Sequence, residues 1–226
     1  LSDRVKMALE LDTPQLYEEW LQKSTEEYEK EYWETRGLQF HPLAKKKIER
    51  LYIGNTFCPQ LCPTKEMLAD MLKKAKREQR VVTLTFPCIK ECQMDAVKNG
   101  LAFLEGQREY LPDEVVINDW GTLHLLQKWK QQAVISVNIN LGILFSRWKK
   151  DNRLRYLKTD TACFRETNIN SRFYQKYLEE QQQIQRYELE ACGHEFVVPQ
   201  GQHSLHLPFF QTNTAQFCTL YAKAVS

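Results

Sequence analysis

Short runs of β-branched and apolar residues alternate with longer segments of helical periodicity along most of the 226 residues. The clearest run, residues 81–86 (Val-Val-Thr-Leu-Thr-Phe), is nearly continuous in apolar character, as expected for a strand that is covered on both faces. Strands that alternate with helices at this spacing predict βαβ units and a parallel sheet. The strand candidates are residues 5–12, 51–53, 81–86, 115–117, 134–140, 187–191 and 204–210.

These runs make six or seven βα units, whereas a closed (β/α) barrel needs eight. We therefore predict a single domain over residues 1–226, an α/β barrel of the TIM type that is incomplete or irregular at its C-terminal end. Residues 13–50 are predicted to be a helical, charged insertion between the first two strands. Its first helix has Pro14 at the first position and is predicted to continue through the charged residues 26–34.

The composition excludes several classes of protein. The net charge of +2, from 31 basic and 29 acidic residues, indicates neither a DNA-binding footprint nor a membrane-surface patch. No apolar run approaches the roughly 20 residues of a membrane-spanning helix, and no signal-peptide pattern opens the sequence, so a cytoplasmic protein is expected. Seven cysteines are an odd number that fits a disulfide framework poorly. Metal or cluster binding, or plain buried thiols, are the remaining interpretations.

Two Cys-x-x-x-Cys pairs follow consecutive strand candidates. Cys58 and Cys62 come after the run at 51–53, and Cys88 and Cys92 come after the run at 81–86. Consecutive strands of βαβ units are commonly neighbours, about 4.8 Å apart, so the thiols could share one site at the carboxyl-end edge of the sheet. Four thiolates suit zinc or an iron–sulfur cluster. The alternative is that each cysteine is an ordinary buried residue.

Other cysteine and histidine motifs fit the sequence less well. A radical S-adenosylmethionine motif needs a third cysteine three positions after a Cys-x-x-x-Cys pair, and Lys65 and Asp95 occupy those positions. A thioredoxin-like site has two intervening residues rather than three. His203 and His206 lack an obvious companion as zinc ligands, so they predict a partly exposed strand or turn.

Polar residues also follow the predicted strands. Asn118, Asp119, Asn138 and Asn140 lie at strand ends, where polar side chains of a barrel line the site. We take Asp119, Asn138 and Asn140 as candidate catalytic residues. The alternative is turn formation, for which Asn and Asp are well suited.

Three segments resemble the collagenase-like peptidase family. Residues 51–58, Leu-Tyr-Ile-Gly-Asn-Thr-Phe-Cys, resemble its Tyr-Leu-Gly-x-x-x-Cys segment, and the resemblance is greatest to the UbiU/UbiV branch of anaerobic ubiquinone biosynthesis. Residues 206–218, His-Leu-Pro-Phe-Phe-Gln-Thr-Asn-Thr-Ala-Gln-Phe-Cys, are similar to that branch's His-x-Pro-hydrophobic stretch leading to a cysteine. Residues 115–121 resemble a strand in the middle of the same barrel.

The resemblance implies a TIM-type barrel whose cysteines bind a 4Fe-4S cluster. Cys58 and Cys218 fall on cluster-ligand positions of the family pattern. The family's other two cysteines lie shortly after the position of Cys218, and this sequence ends at Ser226 without them. Three interpretations follow: the chain is truncated, no cluster forms, or other cysteines complete the site. The substitutes would be Cys88 first, then Cys62 or Cys92.

The expected function is therefore an iron–sulfur protein that supports oxygen-independent hydroxylation or other redox chemistry on an aromatic or RNA substrate. It would work with a homologous partner as a heterodimer, or as a homo-oligomer. A second hypothesis is a non-catalytic zinc protein that uses the two Cys-x-x-x-Cys pairs. A third, a peptidase, rests on the family name alone, because the sequence offers no nucleophile–base pair or metal-ligand set for proteolysis.

Overall fold

A computed structural model describes residues 5–133, 135–146, 151, 153, 156, 164–191 and 195–207. The chain divides into two compact units, Leu1–Phe145 and Ser146–Ser226. The first unit is a five-stranded parallel sheet with connecting helices, which confirms the α/β class. The single barrel domain over residues 1–226 stays a prediction. Within the described ranges, no helix has the length and apolar character to cross a membrane.

Among its described residues, the first unit has five strands and five α-helices, with short 3-10 turns between them. The strands are β1 (Met7–Leu11), β2 (Ile48–Gly54), β3 (Val81–Thr85), β4 (Glu114–Ile117) and β5 (Asn138–Leu141). The α-helices are α1 (Pro14–Leu21), α2 (Thr25–Thr35), α3 (Lys65–Arg77), α4 (Met94–Gly106) and α5 (Trp120–Ala133). The 3-10 turns span Pro42–Lys45, Pro59–Leu61, Glu91–Gln93, Arg108–Tyr110 and Ile143–Phe145.

The strands lie in the order of the chain, β1-β2-β3-β4-β5, and every neighbouring pair is parallel. Because parallel crossovers are right-handed, this order places the connecting helices on one face of the sheet. Among the described strands the sheet is open, with β1 and β5 at its edges. The closed TIM barrel is therefore not confirmed.

The two faces of this sheet differ in chemistry. Side chains alternate between faces along each strand. The register collects ten buried apolar residues on one face: Leu9, Leu11, Leu51, Ile53, Val82, Leu84, Val115, Ile117, Ile139 and Leu141. The opposite face, which we call the polar face, carries Glu10, Arg50, Tyr52, Thr83, Thr85, Glu114, Asn138 and Asn140. β3 is buried on both sides, as predicted, although one of its sides is polar.

The helical insertion between β1 and β2 contains two helices, so the prediction of one continuous helix is wrong. The reason is a capping box at Ser24, whose hydroxyl accepts from the Glu27 N–H at 3.2 Å. The Glu27 carboxylate in turn accepts from the Ser24 N–H at 2.9 Å. This pair starts a new helix, so α1 ends at Leu21 and α2 begins at Thr25.

A buried polar network fastens the insertion to α3. The indole N–H of Trp20 donates to the Thr25 hydroxyl at 2.9 Å, and the Thr25 N–H donates to the Glu78 carboxylate at 3.1 Å. Lys74 Nζ lies 2.7 Å from Glu78 and 3.9 Å from the centroid of the Trp20 ring. The insertion is therefore held by hydrogen bonds to a charged acceptor, which are stronger than neutral ones.

Replacing Glu78 with glutamine should lower the free energy of unfolding by about 1 kcal/mol at pH 7. Burial raises the pKa of Glu78, but hydrogen bonds from Lys74 and Thr25 outweigh burial and lower the pKa below its usual range. A carboxyl group with a lowered folded-state pKa stabilises the fold above its unfolded pKa of about 4.3 and loses that contribution as the pH falls. Urea denaturation at pH 7 and pH 3 should thus show a difference between wild type and variant that shrinks in acid. An equal difference at both pH values would contradict this role of the charge.

Two further element boundaries differ from the prediction. The fifth strand begins at Asn138 rather than 134, because the Ile135 N–H still donates to Lys130 O and continues the end of α5; residue 134 lies outside the described residues. The helix predicted over 171–185 is α6 (Arg172–Gln182) in the second unit. It ends at Gln183, which has a φ of +57° and closes a left-handed C-cap.

The second unit also contains a pair of short parallel strands, β6 (Glu188–Glu190) and β7 (Ser204–His206). Residues 208–210 of the last predicted strand lie outside the described residues. The apolar core of this unit is formed by Ile169, Leu178, Ile184, Tyr187 and Leu189, all buried.

Candidate functional site

The candidate site is the carboxyl-end edge of the five-stranded sheet, which we call the rim. It consists of the loops that follow β2, β3, β4 and β5: residues 55–64, 86–93, 118–119 and 142–145. Both Cys-x-x-x-Cys pairs lie here, as predicted. The Cys88 N–H donates to Thr56 O at 3.1 Å, so the two cysteine loops are directly bonded to each other. Sequence reasoning therefore placed both pairs on adjoining loops.

The side chain of Asn55 positions Cys58. Its amide oxygen accepts from the N–H groups of Phe57 and Cys58, both at 2.8 Å, and its NH₂ group donates to Asp12 O at 3.0 Å. The first two bonds make an Asx-type turn, a conformation that Asn readily forms. The loop that bears Cys58 is thereby joined to the end of β1 as well as to the β3 loop.

Replacing Asn55 with alanine should lower the free energy of unfolding by about 2 kcal/mol, because the N–H groups of Phe57 and Cys58 lose their acceptor. The reaction of Cys58 with a thiol reagent should also become faster. Asn138→Ala is the matched control, since Asn138 is exposed at the start of β5 and its side chain makes no described hydrogen bond. Equal stability and equal thiol reactivity in the two variants would refute the positioning role of Asn55.

The environment of two rim sulfurs favours the protonated thiol. Burial raises the pKa of Cys62, whose Sγ lies 4.0 Å from Asn55 O and 3.9 Å from Cys58 O. Partial burial of the sulfur, followed by the Asp119 carboxylate, raises the pKa of Cys88, although the residue as a whole is exposed. Reactive catalytic cysteines normally have a lowered pKa. These two sulfurs are therefore better suited to coordinate a metal, which displaces the thiol proton, than to act as free nucleophiles.

The described thiols do not by themselves make a metal centre. In the part of the chain that the structure describes, no three or more Cys, His, Asp or Glu side chains are grouped so that they could hold a metal ion. Cys58 and Cys62 are half-buried, whereas Cys88 and Cys92 are exposed. The predicted ligand Cys218 lies outside the described residues.

Asp119, a predicted catalytic residue, makes structural hydrogen bonds. One carboxylate oxygen accepts from the Thr122 N–H at 2.7 Å, which caps the start of α5. The other accepts from the Thr122 hydroxyl at 2.9 Å and from the Ile89 N–H at 3.3 Å. Asp119 therefore holds the Cys88 loop against α5. No described hydrogen bond joins it to the other two predicted residues, Asn138 and Asn140.

Below the rim, the polar face carries a hydrogen-bonded ion pair that sequence reasoning missed. Arg50 Nη1 donates to the Thr83 hydroxyl at 2.7 Å and to the Glu114 carboxylate. The same carboxylate oxygen accepts from Thr83 at 3.2 Å and from Asn140 at 2.9 Å. Only 20% of the Arg50 side chain and 11% of the Glu114 side chain are exposed. This network, which includes the predicted Asn140, links β2, β3, β4 and β5.

Asn118 ties together the ends of three strands. Its NH₂ group donates to Phe86 O at 2.9 Å, beyond the end of β3. A Cβ atom at Gly142 would lie 2.1 Å from the Asn118 amide oxygen and 2.5 Å from Ile117 O. Gly142 thus leaves the space that the Asn118 side chain fills beside β5. Asn118 was predicted as a strand-end polar residue, and its described role is to position the loops.

Aromatic side chains also lie at the rim. Trp120 and Phe145 pack edge to face, with ring centroids 4.7 Å apart. Phe57, next to Cys58, is 41% exposed. Phe57 thus provides apolar surface in the first cysteine loop, and Trp120 and Phe145 provide it beyond the ends of β4 and β5. A flat aromatic group packs on surface of this kind.

In the second unit, the two histidines of the predicted His-x-x-His pair have separate partners. His203 stacks on the Tyr187 ring, accepts from the Tyr187 N–H through Nδ1 at 3.2 Å, and has Nε2 3.1 Å from Gln200 O. Burial lowers the pKa of His203, which favours the neutral ring with its proton on Nε2. Both ring nitrogens of His203 therefore make hydrogen bonds. His206 Nε2 lies 3.0 Å from the buried Glu188 carboxylate.

By its fold and site, the chain is an α/β protein whose parallel sheet presents two adjoining cysteine loops above a polar face. Comparison with known proteins adds no family: no protein-family model matches the sequence, and no curated protein matches it.

Proposed function

We propose that this chain is an iron–sulfur protein of the UbiU/UbiV type that holds a 4Fe-4S cluster at the rim. The observation that carries this proposal is the hydrogen bond from the Cys88 N–H to Thr56 O, at 3.1 Å, which joins the two cysteine loops. Cys58 and Cys218 would be the first ligands and Cys88 the next, followed by Cys62 or Cys92.

Two features of the sheet support a (β/α) barrel as the scaffold. A doubly wound sheet reverses its strand order and has helices on both faces, so both faces are apolar. Here the order follows the chain and only one face is apolar. A barrel has this arrangement, because its helices lie outside and its inward side chains face each other.

The donor chemistry fits a cluster, but the described residues do not complete the ligand set. Thiolates are the usual cluster ligands, and the proposal therefore requires Cys218 from outside the described residues. When bound, the cluster would supply one-electron transfer. Asn55 and Asp119 would act by holding the Cys58 and Cys88 loops in place. The aromatic rings of the rim would limit the access of water, which affects the cluster potential.

The proposed activity is oxygen-independent hydroxylation, or related redox chemistry, on an aromatic or RNA substrate in the cytoplasm. The chain would work in a complex, either with a homologous partner or with further copies of itself. The exposed ring of Phe57, next to Cys58, supports the aromatic substrate, and so does the Trp120–Phe145 pair beyond the ends of β4 and β5.

The test is the iron, sulfide and zinc content of protein purified without oxygen, together with its visible spectrum. We expect about four iron and four sulfide per chain. Cys58→Ser should lose the cluster absorption, because Cys58 is the first of the proposed ligands. Metal-free protein, or a Cys58→Ser variant with an unchanged spectrum, would refute the proposal.

A second candidate, a structural zinc site, is supported by the same hydrogen bond between the two loops, but the four described thiols would have to come closer together to hold the ion. It would use Cys58, Cys62, Cys88 and Cys92. The metal analysis would then find one zinc and no iron, and Cys92→Ser would abolish zinc binding. The metal that the analysis finds therefore distinguishes the two sites.

A further inference from the structure

The loop between α2 and β2, residues 36–47, carries apolar side chains that are exposed to solvent; we call it the α2–β2 loop. Phe40 is 86% exposed, Leu38 is 42% exposed, and Pro42 is exposed as well. A single exposed apolar residue is ordinary on a protein surface. Here three of them occupy alternate positions of one short loop, so together they form an apolar tip.

The backbone holds Phe40 at this tip. A Schellman motif centred on Gly37, whose φ is +64°, closes α2. The His41 N–H then donates to Leu38 O at 2.9 Å and closes a β-turn that has Phe40 at its third position. The His41 ring also stacks on the Trp33 ring, with the centroids 6.5 Å apart. Because the loop is ordered before it binds, burying the Phe40 ring against another surface costs less entropy.

The charged side chains of the α2–β2 loop are all positive. The loop contains no acidic residue and four basic ones, Arg36, Lys45, Lys46 and Lys47. Lys45 and Lys47 are exposed, and neither makes an ion pair with any residue that the structure describes. Two exposed ammonium groups are therefore present in the same loop as the apolar tip.

The acidic side chains of α2 compensate this positive charge only in part. Three of the five carboxylates are paired with other cations, in the pairs Glu26–Arg80, Glu31–Lys23 and Glu34–Lys30. Glu27 caps the start of the helix, and only Glu29 interacts with the loop, through Lys47. The net charge of +2 averages over the whole chain, so it does not show this local excess of positive charge.

We propose that the α2–β2 loop binds the surface of an anionic lipid bilayer, with Phe40 and Leu38 entering the interface and the lysines meeting lipid phosphates. Apolar side chains are stabilised at the boundary between headgroups and acyl chains, and anionic lipids attract lysines near the surface. Leu38 and Pro42 favour lipid over RNA, because bases stack on planar aromatic rings. The lysines favour lipid over a protein partner, because lysine is depleted in protein–protein interfaces.

The proposed lipid-binding surface is separate from the rim. Lys47 directly precedes β2, and Lys46 Nζ donates to Val5 O, just before β1, at 3.1 Å. This end of the loop therefore lies at the amino-end edge of the sheet, whereas the cysteine loops follow the carboxyl ends of the strands. Lipid binding thus needs no cluster, and its failure is distinguishable from failure of the iron–sulfur proposal.

The test is cosedimentation of the whole chain with vesicles of phosphatidylcholine and phosphatidylserine, and with vesicles of phosphatidylcholine alone. We expect tighter binding to the anionic vesicles, weakened by added salt. Phe40→Ser should lower the partition coefficient about tenfold, because one phenyl ring stays in water. Lys45→Gln should lower it about fivefold on the anionic vesicles and leave binding to the neutral ones unchanged.

Phe173→Ser is the matched control, because Phe173 is 83% exposed on α6 of the second unit. It should bind vesicles as wild type does. An absence of vesicle binding, equal binding to both kinds of vesicle, or equal losses in Phe40→Ser and Phe173→Ser would overturn the proposal. So would binding to single-stranded RNA or to a second copy of the chain that Phe40→Ser abolishes while vesicle binding is unchanged.

Discussion

Replacing Gly54 with alanine should lower the free energy of unfolding by about 4 kcal/mol, because two backbone effects act together. Gly54 ends β2 with a φ of +113°, a conformation that only glycine adopts readily. An added Cβ atom would also lie 2.3 Å from the backbone oxygen of Thr85, the residue paired with Gly54 in β3. The neighbour is a main-chain atom inside the sheet, so the contact can be relieved only by separating the strands.

Urea denaturation followed by circular dichroism measures this effect. Gly100→Ala is the control, since Gly100 lies within α4 and a Cβ atom there would meet nothing within 4 Å. That substitution should raise stability by about 0.5–1 kcal/mol, the usual difference between alanine and glycine in a helix. If Gly54→Ala were as stable as wild type, the close approach of β2 and β3 at the rim would be wrong.

Replacing Arg50 with methionine should lower the free energy of unfolding by about 3 kcal/mol, because Glu114 would keep its charge in a largely buried place without its cationic partner. This is the lower end of the range for a buried pair, and we choose it because 20% of the Arg50 side chain is exposed. Methionine preserves most of the packing of the Arg50 stem. The loss would therefore report on the ion pair.

A double-mutant cycle separates the charge from the packing. Glu114→Gln keeps an oxygen that can accept from Thr83 and Asn140, and the Arg50→Met/Glu114→Gln variant contains no unpaired charge at this position. It should recover at least half of the stability that Arg50→Met loses. If the double variant were no more stable than Arg50→Met, the loss would have to arise from packing.

The positions of the elements could be predicted because they follow from signals that are local in sequence. The strand runs at 51–53, 81–86 and 115–117 lie at β2, β3 and β4. Thr64 caps α3, with its hydroxyl accepting from the Met67 N–H at 3.2 Å. Periodicity and caps involve residues at most a few positions apart, so the sequence alone contains them.

Two predictions were wrong: the single helix of the insertion and the start of β5. The residues that decide both of these boundaries are also close together in the sequence. The Ser24-x-x-Glu27 capping box divides the insertion into two helices, and it is visible in the sequence. The start of β5 depends on where α5 ends, because residues 134–137 are apolar enough to continue either element. A strand pattern cannot decide between the two when a helix precedes it directly.

The ion pair of the polar face could not be predicted in the same way. Arg50 and Glu114 are 64 positions apart, and their meeting depends on the register of three strands. In the sequence, polar residues such as Arg50, Thr83 and Thr85 stand at alternating positions of otherwise apolar strands. That alternation shows that one face is polar, but it does not show which residues on that face form bonds.

From the sequence alone, it follows that the chain forms a parallel α/β sheet and that two pairs of thiols come after its second and third strands. Only the tertiary structure decided that the Cys88 loop bonds to the Cys58 loop, and that Asp119 accepts from the Ile89 N–H of the Cys88 loop. The physical reason is that strand propensity acts between near neighbours in the chain. The hydrogen bonds between the rim loops join groups that are far apart in the sequence and meet only after the sheet has formed.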